Sequence, residues 1–185
     1  MDDRHRQQVL AAIRRGNYRQ RVYPEVWETA SPLYAFAQRR RWFDEYLTKV
    51  AYRFLPGPDD LFTCPCCGYP TQDEPAGSEF CYLCYWQDDG QDDPEADRQN
   101  GGPNEGSLTD ARQNFARYMV CFGATSRSPL FTTERRPPLV QAKNDLMTVF
   151  ERIHRNADIF MLPELWERVR EKSAHVRNAR RRYYE

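Results

Sequence analysis

"LFTCPCCGYPTQ" (residues 61–72) puts three cysteines into four positions, and "CYLC" (81–84) supplies a second pair. Cys64 and Cys67 enclose two residues, Cys81 and Cys84 enclose two more, and thirteen separate the pairs. The pattern is C-x2-C-x13-C-x2-C, close to the spacing of a zinc ribbon. A two-residue gap lets one tight turn aim two thiolates at a common point, and two such turns supply the four sulfurs of a closed tetrahedral site. Gly68, just after the first pair, suits the left-handed backbone and close approach that such a turn demands.

Other readings of the same thiols remain beside this one. Cys64 and Cys67 also have the C-x-x-C form of a thioredoxin-like redox pair, but no βαβ pattern surrounds them. An iron–sulfur cluster uses the same four sulfurs, and the blandest reading is a set of buried apolar thiols. Structural zinc on Cys64, Cys67, Cys81 and Cys84 is the reading adopted. Cys66 lies inside the first turn, able to replace Cys64 or Cys67 or to stay a free thiol, and Cys121 reads as a core residue of a following helix.

Outward from the cysteines the pattern turns helical. Ser31–Pro32 is an N-cap and first-turn signal. After it Leu33, Phe36, Ala37, Phe43, Tyr46, Leu47, Val50 and Phe54 recur at three- and four-residue steps, which predicts a long amphipathic helix. A shorter helix is predicted from Asp2 or Asp3 to about Asn17, with a further turn in "VYPEVWETA". "LPGPDD" (55–60) ends the helical pattern. The stretch 86–106 is nearly devoid of apolar residues after Trp86 and reads as a surface loop. "SLTD" (107–110) has the capping-box form, with a helix expected to run to Gly123. "SRSPLFTTERRPP" (126–138) reads as extended, and two more helices follow, the second opened by Pro163. The terminal "RNARRRYYE" (177–185) reads as a solvated helix end, and as a nucleic-acid arm only if it lies on a larger basic surface.

The net charge of zero conceals three blocks. Residues 1–55 carry 11 Lys and Arg against 6 Asp and Glu, residues 56–125 carry 3 against 13, and residues 126–185 carry 13 against 8. An acidic middle therefore sits between basic flanks. With 40% hydrophobic and 14% aromatic residues the composition is that of a folded protein rather than a disordered chain. No apolar run is long enough to span a bilayer and the N-terminus does not resemble a signal peptide, so a cytoplasmic location is expected.

Enzymatic chemistry finds little support. A four-thiolate site is closed to water and substrate. His5, His154 and His175 are dispersed, and no P-loop, G-x-G-x-x-G, H-E-x-x-H or G-x-S-x-G occurs. The acidic run after Trp86 fails the EF-hand pattern in the placement of its glycine and closing Glu.

Taken together, "FTCPCCGYPT", "CYLCYWQDDGQDD", "NGGPNEGSLTDARQNFARY" and "FG" resemble the bacterial cysteine-rich CPCC domain family over residues 60–123. Tyr82 stands where the family more often has proline and Gln87 where it more often has Glu, neither being a ligand position. The resemblance implies a small zinc-ribbon-like module, often in proteins encoded near bacterial toxin systems, with an immunity or other protein-binding role; it does not imply an enzyme activity.

The expected fold is mainly α with small β: an N-terminal helical segment (1–55), a cysteine-rich zinc-ribbon-like module (56–125) and a C-terminal helical segment (126–185) packing with the first. The expected function is non-enzymatic, an immunity protein neutralising a toxin domain encoded nearby, without a membrane partner. Tyr82, Tyr85 and Trp86 would anchor the interface, and Asp88, Asp89, Asp92, Asp93, Glu95 and Asp97 would steer a basic partner. The alternative is nucleic-acid binding through the basic helical flanks, against which the acidic middle repels phosphate.

Overall fold

Ser31 takes an extended conformation and its side chain accepts the Leu33 amide, so α1 starts at Pro32 and runs Pro32–Ala51. A computed structural model describes residues 31–58, 60–93, 95–155 and 158–183, and the helix and turn expected before Ser31 lie outside them. After the break at 55–60 come β1 (Phe62–Thr63) and β2 (Pro70–Gln72), an antiparallel pair that frames the first cysteine turn. The remaining helices are α2 (Leu108–Tyr118), α3 (Pro129–Thr133), α4 (Pro137–Arg155) and α5 (Leu162–Arg181). The protein is thus mainly α, with a small two-stranded sheet and a cluster of cysteines in the middle of the chain.

Two expectations about local structure are corrected. The helix from Ser107 stops at Tyr118, because Met119 takes the left-handed conformation (φ 57°) that Gly123 was expected to supply; Cys121 and Phe122 therefore sit in the turn beyond it. The stretch read as extended contains α3, whose Ser128 caps the Leu130 amide before Pro129, repeating the Ser31–Pro32 device. The Ser107 cap itself forms as expected, accepting the Asp110 amide at 3.1 Å.

One apolar interior runs through the helices and the cysteine-bearing turns. α4 packs along α5, and α1 lies against both: Phe43 meets Phe150 edge-on at 5.7 Å, and the Trp166 indole N–H donates to the Tyr46 hydroxyl at 2.9 Å. Tyr69, immediately after the first cysteine turn, stacks on Phe150 at 5.2 Å and donates to Glu151 at 2.9 Å. The ring thus inserts the cysteine-rich segment into the helical core. Burying such a ring contributes on the order of 2–3 kcal/mol.

The other tie is polar. Glu134, just after α3, is fully buried between the Lys143 ammonium (2.7 Å) and the Arg180 guanidinium, whose Nε and Nη2 both donate to it at 2.7 Å. Arg180 also donates to the Tyr82 carbonyl at 2.8 Å, and Lys143 to the Met119 carbonyl at 3.0 Å. Burial opposes the charge on Glu134, but the Arg180 hydrogen bonds and the Lys143 charge outweigh it and hold the carboxyl below its usual range. Burial pulls Lys143 down as well, only partly offset by Glu134.

Glu134→Gln leaves two cations facing a neutral amide and is expected to cost about 3–5 kcal/mol, the usual penalty for breaking a buried pair. The depressed carboxyl contributes stability above about pH 4.3, the unfolded value, which is lost as pH falls through the lower folded value. Chemical denaturation of both proteins between pH 3 and 7 checks this: the difference between them should shrink towards the acid end.

Candidate metal centre

The two cysteine turns are built alike. In the first, the Gly68 amide donates to the Cys64 carbonyl and the Cys64 amide to the Tyr69 carbonyl, each at 2.9 Å. In the second, Tyr85 donates to Cys81 and Cys81 to Trp86, again at 2.9 Å. The residue after each pair is left-handed, Gly68 at φ +73° and Tyr85 at φ +70°. At Gly68 a Cβ would lie 3.2 Å from the Arg40 Cβ and 3.3 Å from the Phe36 ring, so α1 leaves room only for glycine.

These turns bring the Sγ atoms of Cys64, Cys67, Cys81 and Cys84 within 4.8 Å of one another, all fully buried. Cys64 and Cys84 are 3.7 Å apart, and Cys67 and Cys81 3.8 Å. A tetrahedron with metal–sulfur bonds of about 2.3 Å has edges of about 3.8 Å, so the donor set fits a four-coordinate metal ion. The amides of Leu83 and Cys84 point at the Cys81 sulfur and the Trp86 amide at the Cys84 sulfur, each at 3.4 Å. The Thr71 hydroxyl lies 3.0 Å from the Cys81 sulfur.

Burial raises the thiols of Cys64, Cys67 and Cys84 well above the ordinary value. At Cys81 burial acts the same way, but hydrogen bonds from Cys64, Cys67, Cys84 and Thr71 outweigh it and draw that thiol down. A bound metal ion would supply the positive charge that lets all four ionise, which makes metal uptake a step in folding.

The turns direct their carbonyls outward, where arginines from three helices receive them. Arg39 of α1 donates to the Cys67 carbonyl through Nε (2.9 Å) and Nη2 (2.6 Å), and Arg112 of α2 donates to the Pro65 carbonyl at 3.0 Å. Arg180 of α5 holds the Tyr82 carbonyl of the second turn. Sequence reading had no access to these partners, which lie 28 to 98 positions away along the chain. The one available signal was the triple Arg39–Arg40–Arg41 carried around an otherwise amphipathic helix.

The residues expected to form a partner surface divide. Trp86 is 1% exposed, and Tyr82 and Asp88 are buried. Asp92 takes both Arg40 guanidinium nitrogens at 2.5 and 2.6 Å, and Asp93 takes Arg112 at 2.9 and 3.2 Å. These five residues are buried or paired within the protein, and the stretch 86–106 is pinned by the protein's own cations rather than left free as a surface loop. Asp89 and Tyr85 are half-buried, whereas Glu95 and Asp97 are exposed. Cys66 and Cys121 are buried outside the four-sulfur set; the Cys121 amide donates to the Cys84 carbonyl at 2.8 Å.

Purified protein is expected to carry one equivalent of tightly held metal, measured by elemental analysis. Cys81→Ser should abolish it and unfold the cysteine-rich segment, because structural metal in small cysteine sites contributes about 10 kcal/mol or more. Cys66→Ala should leave metal content unchanged; loss of metal in that variant would mean the ligand set has been misassigned.

No curated protein and no solved structure gives a significant match to the chain. One family model does match, described as Cysteine-rich CPCC, over residues 62–137. The match extends past Gly123 through α3 to the start of α4, so it takes in Glu134 along with the four thiols. Residues 62–137 of this chain are thus similar to the cysteine-rich CPCC domain family.

Proposed function

We propose that the protein is a zinc-stapled, non-enzymatic binding protein that acts by covering a protein partner, in an immunity-type role against a toxin encoded nearby. The observation that carries this reading is the closure of the thiol cluster. All four sulfurs are buried, amides and a hydroxyl occupy their surroundings, and a metal held there has no face for a reactant. Zinc suits such a site better than iron, since it brings no redox chemistry and takes tetrahedral thiolate ligation readily.

A metal with a folding role leaves the surface as the working part. The cysteine-rich domain exposes Asp73, Glu74, Glu79, Glu95, Asp97 and Glu105 after its internal ion pairs are discounted. Phe80 is 51% exposed and packs on Tyr85 at 4.9 Å, which supplies an aromatic anchor beside those charges. Acidic residues around an aromatic pair fit a basic protein partner, the charges speeding encounter and the rings slowing release.

Elemental analysis should find zinc; iron would remove the metal part of the proposal. For the partner, the product of the adjacent toxin gene is the ligand to use, with binding kinetics at two ionic strengths. Glu74→Lys, Glu79→Lys and Glu95→Lys together should slow association at least several-fold and flatten its salt dependence, while Phe80→Ala should mainly speed dissociation. A toxin that is neither bound nor inhibited by the wild-type protein rules out the immunity role.

A further inference from the structure

We infer that a second surface, where the end of α3 meets the start of α4 beside the last turns of α5, binds single-stranded nucleic acid through its phosphate backbone. None of the residues whose substitution tests the protein partner lies on it, and it stands independently of that reading. The terminal "RNARRRYYE" would have this meaning only on a larger basic surface, and the fold provides one. α5 remains helical through Arg181, and Arg135 and Arg136 are brought beside it from 46 positions earlier by the bidentate Arg180–Glu134 contact.

Arg135, Arg136, Arg177, Arg181 and Arg182 are all exposed, and among the described residues none has a carboxylate within ion-pairing reach. Some exposed arginines elsewhere do have one, Arg41 with Glu45, Arg168 with Glu164 and Arg170 with Glu167, whereas Arg53, Arg98 and Arg152 stand apart from one another without one among the described residues. Glu134, the carboxylate at this corner, is consumed by Lys143 and Arg180. The corner therefore keeps several uncompensated positive charges close together.

Three of these guanidinium groups are also held in place. Arg136 lies over the Tyr183 ring at 4.8 Å, Arg135 over Phe131 at 4.8 Å and Tyr118 at 5.3 Å, and Arg177 over Tyr82 at 4.8 Å. Stacking fixes each planar group without using its N–H edge, so less side-chain freedom is lost when phosphate binds. Tyr118 also lines an adjoining cleft of about 630 Å³, together with Asn114, Arg117, Phe122 and Arg127. Trp86 lines it too, and its indole N–H has no acceptor among the described residues. A cleft with aromatic walls beside a phosphate track suits an unstacked base, which favours a single strand over a duplex. Glu105 and Asp110 also line the cleft.

Fluorescence anisotropy with a labelled mixed-sequence 20-nucleotide DNA strand, its duplex and heparin, from 50 to 300 mM NaCl, tests this. If about four phosphates are engaged, log affinity for the strand should fall against log salt with a slope of about −3. The combined substitution Arg135→Gln, Arg136→Gln, Arg181→Gln and Arg182→Gln should weaken strand binding at least ten-fold at 100 mM salt and flatten the slope. Circular dichroism and metal content of that variant should match wild type. Arg168→Gln with Arg170→Gln should change nothing, and Tyr118→Ala should weaken binding of the strand more than of the duplex. The inference is overturned by absence of saturable strand binding at 100 mM salt, by equal affinity for strand, duplex and heparin, or by full binding in the quadruple variant.

Discussion

Four thiols at van der Waals separation, shut away from water, set the terms for the rest of this structure. Fully ionised and alone they would repel one another at a prohibitive cost, and fully protonated they would be four weak donors with little to hold them together. A divalent cation bound there would resolve the conflict, leaving a buried centre of net charge about −2 when all four sulfurs are ligands. The turns answer that charge first, by directing the amides of Leu83, Cys84 and Trp86 at sulfur. The peptide carbonyls of the same turns then face away, and each needs a donor in a nearly waterless setting.

Arginine is the residue that meets this second need, since it is a large cation with several donors on a long arm. Arg39, Arg112 and Arg180 come from α1, α2 and α5, so satisfying the carbonyls of two short turns also fixes three helices around them. A local staple becomes a global one. Burying the cations has its own cost: desolvation is the largest influence on Arg40, and Asp92, Asp44 and Asp93 more than offset it. The acidic run after Trp86 is in part the counter-charge for this arrangement. Thirteen acids against three bases in residues 56–125 overstate how acidic the surface is, because Asp92 and Asp93 face inward to Arg40 and Arg112.

What could be read from sequence was local. The Ser31–Pro32 start, the break at 55–60, Pro163 at the start of α5 and the convergence of Cys64, Cys67, Cys81 and Cys84 all follow from residues within a few positions of each other, apart from the pairing of the two turns. What could not be read was long-range. Arg40 finds Asp92 across 52 positions and Arg180 finds Tyr82 across 98, and neither residue type announces a buried role. Left-handed backbone was also misjudged where glycine was taken as its only carrier: Met119 ends α2 in that conformation four residues before Gly123. The short helix α3 had the right cap signal, but five residues give no periodicity to read.

The two cysteine turns share their hydrogen bonds yet differ in what they face, and the difference accounts for Tyr85. The first turn is pressed against α1, so its left-handed residue must lack a side chain. The second turn carries tyrosine in the same conformation, which costs on the order of 1 kcal/mol. In return the ring reaches Phe80 at 4.9 Å and Phe122 at 6.1 Å, with the Arg180 guanidinium over it at 4.9 Å. Because Phe80 stays half-exposed, the second turn ends at the surface in an aromatic group, whereas the first ends in the core through Tyr69. One half of the thiol site therefore anchors the domain to its helices. The other half carries the rigidity of the site out to an exposed aromatic edge, where a binding partner would meet a surface already held in place.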